Sequence, residues 1–209
     1  EVTNYKPRPL LRKDYKNPPL QRKIQPVKNK VKIGSIEAEF LPVDHSIPGA
    51  CALILHCSNA TIVYSGDLRL HGVLGHCTQE FAETACLQTP DLLLCEGTRI
   101  IDSETHGEAF VKANATRVIQ ETKNLVIADF SWKDTTRLQT FYEVASATNR
   151  KLLIPFRTAH YLQALKPNIP ILPDLRDENI LLYQENAGSG NYNTADYPES
   201  WKKPFLTYP

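Results

Sequence analysis

The apolar residues of this chain change rhythm part-way along it, and that change constrains the fold more than any other feature. Val31 to Ile33, then Gly34-Ser35, then Ile36 to Val43 reads as a β-hairpin. Alternation at Ile36, Ala38 and Phe40 predicts one buried face. Residues 50–56 form a nearly continuous apolar strand, Asn59 supplies a turn, and residues 60–64 form another strand. Residues 78–88 have helical spacing, with Thr78 placed as N-cap. From there strands and helices alternate: strand 91–95, helix 108–121, strand 125–128, helix 135–148, strand 151–154, helix 158–165, strand 179–184. The first pattern predicts an antiparallel sheet, and the second a parallel sheet with helices on its faces. The expected class is therefore α/β, in two units, residues 1–104 and 105–209.

Composition narrows the class. With 42% apolar and 22% charged residues, the 209-residue chain reads as a globular protein, which excludes disordered, collagen-like and coiled-coil readings. Its longest uncharged apolar stretches, such as Ala50 to Leu55, are too short to span a bilayer. Five cysteines, an odd number without a C-x-x-C, argue against a disulfide scaffold and a thiolate zinc site. They predict free, mostly buried thiols and a cytoplasmic setting. Charge is unevenly spread: residues 1–33 carry net +8 within a total of +1, along with a run of prolines. Residues 1–28, which hold most of that charge and five of the fifteen prolines, read either as a solvated arm or as a strip that contacts phosphates. The chain has no methionine, which reads as a processed product, a fragment of a longer protein, or a sequence whose methionines are unwritten.

The chemistry concentrates in two stretches, PVDHSIPGA from Pro42 to Ala50 and IVYSGDL from Ile62 to Leu68. In a three-strand meander the ends of the first and third strands share one sheet edge. His45 follows the first and Asp67 the third, so the two can converge although far apart in sequence. An imidazole and a carboxylate suit a divalent metal ion. Two ligands are too few for a site, and ordinary loop polarity explains the pair equally simply. Glu96 closes the apolar strand from Asp91 and precedes Gly97-Thr98. It can orient a metal-ligating histidine or cap and salt-bridge locally, with Arg99 or Arg69. The remaining histidines read more plainly. His56 is a core or strand-edge residue, His71 and His76 loop residues near the Asp67 motif, and His106 a polar-loop residue. His160 is expected to pack inside the second unit. Arg137 and Lys133 read as solvated charges, with phosphate contact as the alternative.

Taken in order, these motifs resemble the metallo-β-lactamase superfamily, and in particular its β-CASP branch of RNase J-like and mRNA 3′-end processing nucleases. The DHSIPG block from Asp44 resembles that branch's third-motif histidine, and Tyr64-Ser65-Gly66-Asp67 its fourth motif. Cys95-Glu96-Gly97-Thr98 resembles the segment opening the β-CASP insertion. ADFS from Ala128, RLQTFY from Arg137 and NRKLLI from Asn149 resemble that insertion's first strand, helix and strand. The similarity runs from about Val31 to Tyr183. It implies part of an αββα sandwich with a Rossmann-like β-CASP domain inserted, and a centre of two zinc ions. His45 would bind zinc and Asp67 would bind both ions. Asp67 and Glu96 would be the catalytic residues, with Glu96 orienting a ligand. The implied reaction is hydrolysis of a phosphodiester in single-stranded RNA by a metal-bridging hydroxide, in a possible homodimer without membrane attachment. Three departures stand out: the family's His-x-His-x-Asp-His set is absent, so are its late histidines, and Gly97 replaces a serine. Two rivals follow, a small ester or thioester hydrolase of the same fold and a non-catalytic scaffold that binds RNA or protein.

Overall fold

A computed structural model describes residues 26–98, 101 and 106–183 of the chain. The basic segment before residue 26, the boundary expected at 104/105 and the tail beyond 183 lie outside the described residues. The fold is mixed α/β, as the change of rhythm predicts. Its first sheet has the order β1 (Lys30–Ile33), β2 (Ile36–Pro42), β3 (Cys51–His56), β4 (Thr61–Tyr64) and β5 (Leu92–Leu94). The first four strands pair antiparallel, with Ala38 opposite Leu55 and Ile54 opposite Val63. β5 lies parallel to β4, which requires a crossover, and α1 (Gly75–Leu87) provides it. Asp91 extends this pairing: its N–H donates to the Thr61 carbonyl at 2.9 Å, and its carboxylate accepts from the Thr61 N–H at 2.8 Å. α1 covers one face, closing a core of Val43, Ala52, Ile54, Val63, Phe81 and Ala85.

A second core gathers Leu138, Ile154, Phe156, Ala159, Leu162, Leu172, Ile180 and Leu182. It lies between α3 (Thr135–Ala147), α4 (Phe156–Leu165) and a parallel pair, β6 (Leu152–Pro155) and β7 (Ile180–Tyr183). α2 (Glu108–Glu121) buries no residue of its own. Polar contacts tie it to α3. Arg137 donates from Nε to Glu108 at 2.9 Å, Thr140 donates to Glu108 at 2.8 Å, and Lys112 pairs with Glu143 at 2.6 Å. No helix among the described residues is long and apolar enough to cross a membrane.

Several expectations need correction. α1 starts at Gly75, so Thr78 is a buried residue inside the helix and caps nothing. Its hydroxyl is claimed by two loops, a tertiary demand invisible to local pattern. Residues 125–128 form no strand. Leu125 and Ile127 are 78% and 84% exposed, so the apolar run that suggests a strand finds no core here. The stretch just before them is held instead by Arg150, which donates to the carbonyls of Thr122 and Asn124. Ile36 lies at the exposed end of β2, so only Ala38 of the expected face is fully buried. All five cysteines are free, but none is buried, because each sits at a strand edge, loop or outer helix face.

Candidate functional site

β2 ends at Pro42 and β4 at Tyr64, and the loops that follow meet at one edge of the first sheet. His45 Nε2 lies 3.7 Å from Asp67 Oδ2, the convergence that the meander argument requires. His45 keeps 31% of its side chain exposed and Asp67 78%, so both reach solvent on the same side. Two glycines shape these loops. Gly49 turns the chain back into β3 at φ 83°. Gly66 sits at φ 57°, and a Cβ there would lie 3.1 Å from the Cys51 carbonyl oxygen, so a side chain is disfavoured twice.

Ser65 and Glu96 stitch the β4 and β5 ends together. Ser65 N–H donates to the Leu94 carbonyl at 2.9 Å, and its hydroxyl accepts from the Glu96 N–H at 3.0 Å. Glu96 accepts from the Thr98 N–H at 3.0 Å and from the Leu68 N–H at 3.4 Å. Thr98 holds the Glu96 carboxyl below its ordinary value, first through its side chain and then its backbone; Leu68 and the charge of His45 add to this. Glu96 therefore stands ionised near His45 and anchors the loop carrying Asp67. Of the two salt-bridge partners expected, Arg69 is engaged elsewhere and Arg99 lies outside the described residues. Tyr64, Gly66, Asp67, Leu93, Leu94, Cys95 and Glu96 line an open cleft of about 390 Å³. A more apolar cavity of about 400 Å³ lies in the second half beside Leu125, Phe130, Trp132 and Ile154. The chemistry favours the first, because Asp67 and Glu96 line it and neither lines the second.

Sequence reasoning missed a charge cluster beneath this site. Asp44 is 1% exposed, and its Oδ1 lies 3.1 Å from Arg69 Nε. That nitrogen's N–H is aimed off the line, so the contact is an ion pair without a hydrogen bond. Arg69 also reaches Asp134 Oδ2 at 3.5 Å, and Asp134 Oδ1 caps α3 by accepting from the Arg137 N–H. The signal was an aspartate between Val43 and His45, directly after an apolar strand, where a carboxylate needs a countercharge. Nothing local pointed to Arg69 or Asp134 as the partners.

The other expected site residues are scattered. His56 lies 3.8 Å from Glu39, His76 contacts the Cys77 sulfur at 3.4 Å, and His106 stacks on Phe110 at 3.9 Å. His71 is half-buried in its loop. His160 is on the surface and does not pack into the second core, because it faces away from Ala159 and Leu162 on α4. Arg137 is paired with Glu108 instead of standing solvated. Lys133 lies over the Trp132 ring, with Arg157 against the same ring.

His45 and Asp67 fit a zinc ion in donor chemistry and in spacing. Two ligands about 2.0–2.1 Å from a tetrahedral ion stand roughly 3.4 Å apart, close to the pair's separation. Among the described residues no third His, Cys, Asp or Glu joins them in a metal-binding group. The described residues thus supply two donors of the four that a tetrahedral site needs.

No family model matches the sequence. The chain is 28% identical over 123 residues to Ribonuclease J of Mycoplasma pneumoniae, covering 56% of this chain and 21% of that protein. It is 29% identical over 126 residues to Ribonuclease J of Mycolicibacterium smegmatis, covering 57% of this chain and 22% of that protein. It therefore spans about a fifth of the length of these relatives. Its fold is similar to the crystal structure of a protein of unknown function from Enterococcus faecalis V583. The TM-score is 0.61 at 22% identity, over 90% of this chain and 42% of that one.

Proposed function

We propose that this chain is part of a metal-dependent nuclease of the metallo-β-lactamase kind with a β-CASP insertion, acting on single-stranded RNA. The observation that carries this reading is the 3.7 Å approach of His45 and Asp67 at one sheet edge, in a chain distantly similar to two ribonucleases J. His45 would offer Nε2 and Asp67 its exposed carboxylate to the metal. Zinc bound there supplies an acidified water and positive charge against the phosphoryl oxygens. Glu96 holds the Asp67 loop through the Leu68 N–H and sets a negative charge near His45. The remaining donors come from outside the described residues.

One observation favours a second reading. Only two donors converge among the described residues, as a non-catalytic RNA-binding scaffold of the same fold predicts. Zinc content and cleavage of single-stranded RNA, measured on the full-length protein and on Asp67→Ala, separate the two. The nuclease reading expects bound zinc and cleavage in the wild type, and loss of cleavage with reduced zinc in the variant. RNA binding without cleavage, unchanged by the substitution, supports the scaffold.

A further inference from the structure

Neither loop that carries the His45–Asp67 pair is a regular element, so something must hold the two in register. Arg69 and Thr78 do this together. The Arg69 N–H donates to the Asp44 carbonyl at 2.8 Å. The Thr78 hydroxyl accepts from the Asp44 N–H at 2.9 Å and donates to the Arg69 carbonyl at 2.8 Å. The Arg69 guanidinium lies against the buried Asp44 carboxylate and reaches on to Asp134 at the start of α3. Gly72 closes over the cluster: a Cβ there would fall 1.9 Å from Asp44 Oδ2 and 2.4 Å from Arg69 Nε.

The chemistry of this clamp is unusual for a purely structural joint. Asp44 Oδ2, Arg69 Nε and Arg69 Nη2 are buried without hydrogen-bond partners. Replacing a buried ion pair by apolar packing is often neutral or stabilising, and the best-attested use of such a pair is to fix registry. The residues put in registry are the immediate neighbours of the two candidate donors. Asp44 directly precedes His45, and Arg69 follows Asp67 by two positions.

We infer that Arg69 is the positioning residue of the candidate site, fixing the separation of His45 and Asp67 by locking the backbone of one loop to the other. Through Asp134 it also ties that separation to the N-terminus of α3. The inference rests on reading His45 and Asp67 as metal donors.

The test compares zinc affinity, by chelator competition, with the melting temperature of the metal-free protein, all in the full-length protein. Arg69→Lys keeps the charge and removes the planar fork. Thr78→Val removes the bridge between the loops without touching the charges, and serves if Arg69→Lys fails to fold. Val144→Ala, in the buried face of α3, is the control for lost stability alone. The expected result is a drop in zinc affinity of about tenfold or more in Arg69→Lys, the scale seen when a group orienting a ligand is lost. The cobalt-substituted protein should show altered visible bands, and Val144→Ala should bind zinc as the wild type does. Zinc affinity in Arg69→Lys and Thr78→Val within twofold of the control overturns the inference. Asp67→Ala is the separate arm: wild-type zinc affinity there removes the metal-donor reading itself, and the positioning role with it.

Discussion

Gly66 shows at the scale of one residue how the site is built. Its left-handed backbone turns the chain out of β4 toward Asp67, and its missing Cβ leaves room for the Cys51 carbonyl. Gly66→Ala should therefore cost about 1–3 kcal/mol, from strain and the 3.1 Å contact together. Urea unfolding midpoints measure this; a loss within a few tenths would mean that the loop relaxes freely. The meeting of His45 and Asp67 was legible in the sequence, because in an antiparallel meander the ends of the first and third strands share one sheet edge. The partners of Asp44 were not legible. Arg69 and Asp134 stand far along the chain in other elements, and a buried charge announces its need for a partner without saying which one answers it.

Among the elements, α2 is the instructive case. Its span, Glu108–Glu121, coincides with the helical spacing, yet it buries no residue and leans on α3 through charged contacts. Burial pushes the Glu108 carboxyl up, but hydrogen bonds from Arg137 and Thr140 outweigh that and leave it below its ordinary 4.5. A carboxyl lowered on folding stabilises only while it is ionised in the fold. Its contribution is complete above about pH 4.5 and disappears as the pH falls through the lowered value. Glu108→Gln should accordingly lose stability at neutral pH and show a flatter decline below pH 4.5 than the wild type. Parallel acid limbs in the two proteins would contradict the pairing. The strand expected at 125–128 marks the opposite case. Its short apolar run, Leu125 to Ala128, suggested it, but a strand also needs a neighbour to take its backbone groups and a core for its apolar side chains. Leu125 and Ile127 face outward instead.

Across the whole molecule, two cores correspond to the two rhythms of the sequence. One lies under an antiparallel sheet closed by a single parallel strand, the other beside a parallel strand pair. The mixed α/β class followed from periodicity because periodicity reports burial. Periodicity alone does not extend to a layered sandwich or a four-donor metal site: the described residues form a five-stranded and a two-stranded sheet and bring two donors together. The net +8 of residues 1–33 makes a molecular-scale prediction. If residues 1–28, which hold most of this charge, contact phosphates, RNA affinity should fall steeply with salt. Replacing Arg12, Lys13 and Lys16 by Gln should lower the log–log slope by about 0.7 for each phosphate contact removed. A slope unchanged by the substitutions would leave the segment a solvated arm.

The central claim is that His45 and Asp67 bind the same metal centre, and anomalous diffraction at the zinc edge from crystals of the full-length protein tests it most directly. The account predicts an anomalous peak at the sheet edge, about 2.0–2.2 Å from both the His45 imidazole nitrogen and an Asp67 carboxylate oxygen. A zinc peak ligated by neither residue, or none in zinc-soaked crystals that leave this edge open, would contradict it.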